Sequence, residues 1–305
     1  QILLAVRDEH RRRVDLADEF GVFVQKRRVG ARFGVLLVVK GLPEPLGIEP
    51  GGLEGSVSLA PEAVPERLGL PIGERMSESV ADALRPDTDV VAVVNPNNPT
   101  GRYHGEATMR AVYERCAENG TYLLCDEVYR LLSPDPIAPV ASFGRYGIST
   151  GGVSKSFGLA GLRFGWLCGP SAVVAAAENW KDYTTISPPK FGHHVAEQAF
   201  ERRGEILTEN REHVAENRKR VEEFLEEYDI EWSDPDCGVN AFVEVPEGFA
   251  GGESFCRSLV AEESVVLAPG EAFDQPEWFR IGFGLPREEL ETGLSRLGAF
   301  LERHA

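Results

Sequence analysis

Lysine is scarce in this sequence: of 32 basic residues only 6 are Lys and 26 are Arg. Basic charge as a whole is short, with 49 acids giving a net charge of −17, which argues against partners that need a basic face, nucleic acid and anionic membranes among them. No run reaches the roughly 18 apolar residues of a membrane-spanning helix. The opening Gln1-Ile-Leu-Leu-Ala-Val meets Arg7 too soon to be a secretory signal. No CxxC spacing joins Cys116, Cys125, Cys168, Cys237 and Cys256, so the expectation is buried free thiols in a reducing cytoplasm rather than a metal site or a disulfide framework. No repeat of about 20–50 residues is evident. His193-His194 lack acids at metal-ligand spacing and are expected on a solvated helix face. Gly151-Gly152 is not a dinucleotide fingerprint, because no GxGxxG follows a strand.

What remains is globular. The 305 residues are 42% hydrophobic and 27% charged, enough for about two domains at roughly 100–200 residues each. Charge is unevenly placed. Residues 1–75 carry 11 acids and 11 bases, whereas residues 76–305 carry 38 acids and 21 bases and so the whole −17. The first 75 residues also contain no Tyr or Trp. An acidic, Lys-poor chain suits a cytoplasm of high salt, where carboxylates keep a surface hydrated.

From Ser77 onward the pattern reads as alternating helices and strands. Ser77–Leu84 is a short helix with Ser77 as N-cap, and the continuous β-branched run Asp89–Asn95 reads as a strand covered on both faces. A helix over Glu106–Glu118, ending before Gly120, leads to an apolar strand over Tyr122–Asp126. Gly147–Val153 and Phe164–Cys168 are further strands. The implied fold is α/β with a mostly parallel sheet, whose ligands sit at the carboxyl ends of the strands. Asn95, Asp126 and Ser154-Lys155 all stand at such ends. Beyond Pro188-Pro189 a long charged helix over His193–Tyr228 precedes strands at Ala241–Val245, Ser264–Ala268 and Phe279–Phe283 and a helix over Arg287–Arg303. That pattern is a smaller α+β domain. The expected organisation is therefore a large domain over 76–190, a small C-terminal domain over 191–305 that includes the long connecting helix, and an unassigned segment 1–75.

Four segments in order carry the chemistry: Asn95-Pro-Asn-Asn-Pro-Thr-Gly101, Cys125-Asp-Glu-Val-Tyr129, Ser154-Lys-Ser-Phe-Gly-Leu-Ala-Gly-Leu-Arg-Phe-Gly165 and Phe279-Arg-Ile-Gly-Phe283. Together they resemble the class I/II pyridoxal-phosphate-dependent aminotransferases of fold type I over residues 76–305. Lys181-Asp-Tyr-Thr-Thr185 and Pro269-Gly-Glu-Ala-Phe273 add to the likeness. The resemblance implies a cytoplasmic homodimer that uses pyridoxal 5'-phosphate to move an amino group between an amino acid and a 2-oxo acid. An amine is needed to hold the cofactor's aldehyde as an imine and then to shuttle a proton, and Lys155 supplies it. Asp126 would keep the pyridine nitrogen protonated, and Tyr129 and Asn98 would meet the phenolic oxygen. Arg163 and Ser154 resemble the phosphate ligands, and Arg280 the clamp on the substrate α-carboxylate, where a planar fork suits bidentate pairing.

The same constellation would serve a decarboxylase, a C–S lyase or a synthase, and a catalytically degenerate relic would also keep these motifs. The family's upstream features are a Gly-rich phosphate turn, an aromatic that stacks on the ring, and a tyrosine lent by the partner subunit. Residues 1–75 offer no match for them, and Gly152 stands where many relatives have a phosphate-binding Ser. This mismatch and the charge break near Met76 point to a frameshifted, rearranged or truncated amino-terminal part, with simple divergence as the alternative.

Overall fold

The computed structural model describes Leu3, Leu4, Ser77 and residues 80–304 apart from 83, 185 and 188. Apart from the strand Leu3–Leu4, the segment 1–75 therefore lies outside the described residues, as does part of the expected helix at Ser77–Leu84, of which Ser77 and residues 80–82 are helical.

Two sheets organise the chain. The first has five strands in the order β1-β5-β4-β3-β2, where β1 is Leu3–Leu4, β2 Val90–Val94, β3 Tyr122–Asp126, β4 Gly147–Gly152 and β5 Gly165–Cys168. Strands β2, β3 and β4 run parallel, with Val94 opposite Asp126 and Asp126 opposite Thr150. Strand β5 returns antiparallel to β4, pairing Gly152 with Gly165, and β1 lies parallel to β5. Helix α1, Glu106–Glu118, joins β2 to β3 and buries Met109, Val112 and Cys116 against Val91, Val93, Leu123 and Cys125. The β-branched run of β2 therefore fills a core rather than forming a surface ladder.

Helices α2 (Ser171–Thr184), α3 (Lys190–Glu201) and α4 (Arg203–Glu227) follow. The single helix expected over His193–Tyr228 is two. The chain leaves helical backbone at Arg202, φ −97° and ψ 16°, just before Gly204, a residue that loses more freedom in a helix than any other non-proline. Ala196 and Ala199 of α3 pack with Leu207 of α4 on Val153, Phe157 and Phe164 around the Lys155 turn. His193 and His194 are exposed, as expected, and no cluster of His, Cys, Asp or Glu suited to a metal occurs among the described residues.

The second sheet is antiparallel, in the order β6-β8-β7, with β6 Asn240–Glu244, β7 Ala268–Pro269 and β8 Trp278–Gly282. An isolated bridge from Trp232 to Val243 runs along the outer side of β6. Helices α5 (Gly252–Glu263) and α6 (Arg287–His304), with α4, close over it and bury Phe255, Leu259, Leu290, Leu297 and Phe300 against Phe279 and Ile281. Phe255 and Phe279 stack at 4.8 Å between centroids. The expected strand Ser264–Ala268 is corrected to the two-residue β7. Ser264 caps α5 in the left-handed region at φ 57°, and the β-branched pair that follows splits, Val265 packing against the core and Val266 80% exposed, with neither in a strand. Four cysteines are buried as expected, but Cys168 is only half-buried. None of the described helices is long and apolar enough to cross a membrane.

Candidate active site

The carboxyl ends of β2, β3 and β4 converge on one side of the first sheet, and three turns leave from them. After β2, buried Asn95 closes its own loop by exchanging hydrogen bonds with His104, Nδ2 donating to His104 O at 3.0 Å and Oδ1 accepting from His104 N–H at 2.9 Å. Asn97 holds the turn with its Oδ1 on the Thr100 hydroxyl at 2.9 Å. Gly101 sits at φ 71°, and a Cβ there would overlap Pro235 and press on the Asn240 carbonyl oxygen. Glycine is thus required for two reasons at once, a left-handed backbone and a close approach. Ser233 Oγ donates to Thr100 O at 2.8 Å and Cys237 N–H to Gly101 O at 2.9 Å, so the turn is riveted to the segment that leads into β6.

This seam presents Asn98 to the second sheet. Arg280 Nη1 donates to Asn98 Oδ1 at 3.1 Å, and the Arg280 guanidinium also lies 5.4 Å from the Phe273 ring centroid. With Oδ1 occupied, the Asn98 amide keeps its N–H donors for another acceptor.

At the end of β3, half-buried Asp126 accepts from Val128 N–H at 3.2 Å and from the Thr150 hydroxyl at 3.4 Å. Burial pushes its pKa up, while these two hydrogen bonds pull it down. Glu127, to which the sequence pattern gave no role, is buried at 8% exposure. Its Oε1 accepts from Val140 N–H and from the Ser149 hydroxyl, both at 2.7 Å, and its Oε2 faces Arg130 Nε at 3.2 Å. Burial again raises the pKa, against hydrogen bonds and the Arg130 charge that lower it. The signal that could have found it is an acid directly at the end of an apolar strand, where an unpaired carboxylate would be costly. Tyr129 is 5% exposed, and its hydroxyl accepts a hydrogen bond from Asn240 Nδ2 at 3.3 Å.

Strand β4 ends in the turn that carries Ser154 and Lys155. The Ser156 hydroxyl donates to Val128 O at 3.0 Å, tying this turn to the one after β3. Lys155 is exposed, and its Nζ lies 5.7 Å from the Tyr129 ring centroid. The small flanking residues leave the turn open on the side of the second sheet. There Lys155, Asn240, Ala268, Arg280 and Gly282 line a single cavity of about 380 Å³. Ser154 is half-buried beside Lys155. Arg163 is exposed, in the left-handed region at φ 51°, with Nη1 on Ala160 O at 3.1 Å and no ion pair among the described residues.

The structure therefore joins Lys155 to Tyr129 by contact and to Arg280 by a shared cavity, Asn98 to Arg280 by a hydrogen bond, and Asp126 to the neighbouring strand end. It brings Arg163 to none of them directly; Arg163 follows Lys155 by eight residues along the chain. Among the described residues the donor set fits pyridoxal phosphate: an amine without an acid partner, a carboxylate at a strand end, a phenol and an amide with N–H to spare, and a guanidinium no carboxylate has claimed.

Residues 75–297 match the family model described as aminotransferase class I and II. Capreomycidine synthase of Streptomyces vinaceus is 33% identical over 73% of this chain and 58% of its own length. Aspartate aminotransferase of Bacillus subtilis (strain 168) is 26% identical over 75% of this chain and 61% of its own. A pyridoxal-phosphate-dependent aminotransferase from Streptococcus suis 89-1591 superposes with a TM-score of 0.71 at 31% identity, covering 77% of this chain and 62% of that one. The chain thus spans about three fifths of the length of the relatives it matches.

Proposed function

The chain belongs to the class I and II aminotransferases, and from that premise we propose that it moves an amino group between an amino acid and a 2-oxo acid with pyridoxal 5'-phosphate held at Lys155. The observation that carries this reading is the single cavity shared by the Lys155 amine and the Arg280 guanidinium. It leaves room between a group that forms a carbon–nitrogen bond and a group that pairs with a carboxylate, which is how an α-amino acid has to be gripped.

When bound, the cofactor supplies an aldehyde for that bond and a ring that takes up electrons as a bond to the substrate's Cα breaks. Lys155 Nζ would hold the cofactor and is the base that would move the proton at Cα. Asp126 holds the ring-nitrogen proton; it works as the carboxylate, and its hydrogen bonds from Val128 and Thr150 oppose the upward push of burial. Asn98 and Tyr129 donate to the phenolic oxygen, and Arg163 with Ser154 binds the phosphate. Arg280 orients the substrate through its α-carboxylate, and the turn at Gly101 packs closely on Pro235 and the start of β6 beside it. The enzyme works as a homodimer in the cytoplasm. Tyr183, Ile186 and Phe191 support a homodimer, since all three are at least 74% exposed around the start of α3. The cysteines, free throughout, support a reducing compartment.

Reconstituting the full chain with pyridoxal phosphate, fixing it with borohydride and mapping the labelled peptide tests the site. Label on Lys155, lost in Lys155→Ala, is the expected result, with release of a 2-oxo acid matched by amination of an added one. Label on another lysine removes Lys155 from its role.

A second reading keeps the site and changes the outcome. The relative at 33% identity is a synthase by name, which supports a reaction that rearranges the substrate instead of exchanging its amino group. A product that retains the donor's nitrogen, with no 2-oxo acid, would favour it.

A further inference from the structure

Asn240, the first residue of β6, is a polar side chain on the wall of the Lys155–Arg280 cavity to which no sequence motif points. Opposite it in the ladder stands Gly282, which puts no side chain in its way. A Cβ at Gly282 would lie 3.5 Å from Asn240 Oδ1, so the amide oxygen is turned toward the glycine and the amide nitrogen toward Tyr129. Nδ2 donates to the Tyr129 hydroxyl oxygen at 3.3 Å.

A phenol has one proton to give. Where its oxygen accepts from an amide, the proton must point elsewhere, and accepting one hydrogen bond makes the hydroxyl a stronger donor of its own. Tyr129 is 5% exposed, so water does not compete freely for that proton, and the Lys155 amine lies over the ring of the same residue. Asn98 is treated alike: Arg280 on β8 occupies its Oδ1 and leaves its N–H groups to donate. The second sheet thus sets the direction of both hydrogen-bonding groups at the Lys155 site, through Asn240 on one strand and Arg280 on its neighbour.

We propose that Asn240 is a positioning residue that turns the Tyr129 hydroxyl into a donor toward the cofactor's phenolic oxygen and thereby lowers the proton affinity of the nitrogen held there by Lys155. The inference rests on the cofactor reading given above. Its sign follows from charge. A donor to the phenolic oxygen holds negative charge on that oxygen, and the less charge the neighbouring nitrogen feels, the more weakly it keeps its proton.

The experiment is a pH titration of the visible absorbance of the full chain loaded with pyridoxal phosphate, in a double-mutant cycle over Asn240→Ala and Tyr129→Phe. Tyr129→Phe should raise the midpoint by about one pH unit, and Asn240→Ala by about half as much, in the same direction. The double variant should titrate with Tyr129→Phe alone, because without the hydroxyl Asn240 has nothing to direct. The isosteric Asn240→Asp covers a failure of the alanine variant to fold. Its carboxylate accepts the Tyr129 proton instead of donating, so the midpoint should rise further than in Asn240→Ala. An Asn240→Ala shift of equal size with the Tyr129 hydroxyl present and with it removed overturns the proposal, as does a midpoint that ignores every change at 240. A wild-type chain with no visible band overturns the cofactor reading and this inference with it; a band that titrates indifferently to Asn240 overturns this inference alone.

Discussion

Glu127→Ala should cost the fold about 3–5 kcal/mol, the range for breaking a buried ion pair from one side. The carboxylate is 8% exposed and is shared by three elements: the turn after β3, the backbone at Val140 and the Ser149 hydroxyl on β4. Alanine leaves the Val140 N–H and the Ser149 O–H without their acceptor, at about 1–3 kcal/mol for each orphaned buried donor. Arg130 loses its carboxylate as well, but its side chain is 20% exposed and it keeps Ile137 O at 2.8 Å, so water and that carbonyl recover part of the loss. Glu127→Gln keeps one oxygen for the same donors and sets an amide against Arg130; about 1–2 kcal/mol is expected from the lost charge alone. Urea unfolding followed by far-UV circular dichroism reads both. The pH dependence gives a second handle. Burial holds the Glu127 pKa above its ordinary 4.5, so in the window between that value and the raised one the folded state binds more protons than the unfolded state. Stability is then fully present below about 4.5 and falls as pH rises through the folded value. Glu127→Gln should remove this part of the slope, leaving the part of the same sign from Asp126, whose pKa burial also raises from 3.8. A Glu127→Ala variant within about 1 kcal/mol of wild type would refute the reasoning, because the buried donors would then have found other partners.

Asp126→Asn should slow amino transfer roughly 30-fold to several thousand-fold, from about 2–5 kcal/mol of lost charge-assisted pairing, while cofactor retention changes little; an unchanged single-turnover rate takes Asp126 out of the site. Arg280→Lys should raise KM for α-amino acids by about ten- to a hundredfold, since an ammonium cannot reproduce the planar fork, and it should also free Asn98 Oδ1. Steady-state kinetics with an amino acid and its decarboxylated amine separate this from general damage, because only the amino acid should suffer. Gly101→Ala should destabilise by about 3 kcal/mol or more, from left-handed backbone at φ 71° and overlap with Pro235, as read by thermal unfolding.

The elements that the sequence marks to the residue are those whose signals are local. Helix Glu106–Glu118 has its apolar face at Met109, Val112 and Cys116 and a glycine just beyond, and Tyr122–Asp126 is a five-residue apolar run stopped by an acid. The strand ends at Asp126 and near Lys155 are legible for the same reason, because the motifs lie directly after them. The misreadings come from signals that several structures share. A charged i,i+4 pattern continues across Arg202 whether or not the helix does, and Val265-Val266 looks like a strand although the chain leaves Ser264 in the left-handed region and begins to pair only at Ala268. Asn240 was hidden for a different reason: it meets Tyr129 across 111 positions of sequence, and no spacing rule reaches that far. Glu127 stood inside a recognised motif, yet its partners Val140 and Ser149 are set by the packing of a later turn and strand.

The antiparallel sheet leaves almost nothing on its flanks for another chain to copy. Along β6 the Trp232 bridge, with Ser233 N–H on Phe242 O at 2.8 Å and Glu244 N–H on Glu231 O at 2.9 Å, already takes up backbone groups that an incoming strand would use. At the other border β7 is only two residues long, and Pro269 has no N–H to offer. Fibre-like growth by backbone templating is therefore blocked at both borders of this sheet, without the charged edge residues that longer borders need. A contact of another chain with this sheet would therefore have to be made through side chains, not by an added strand.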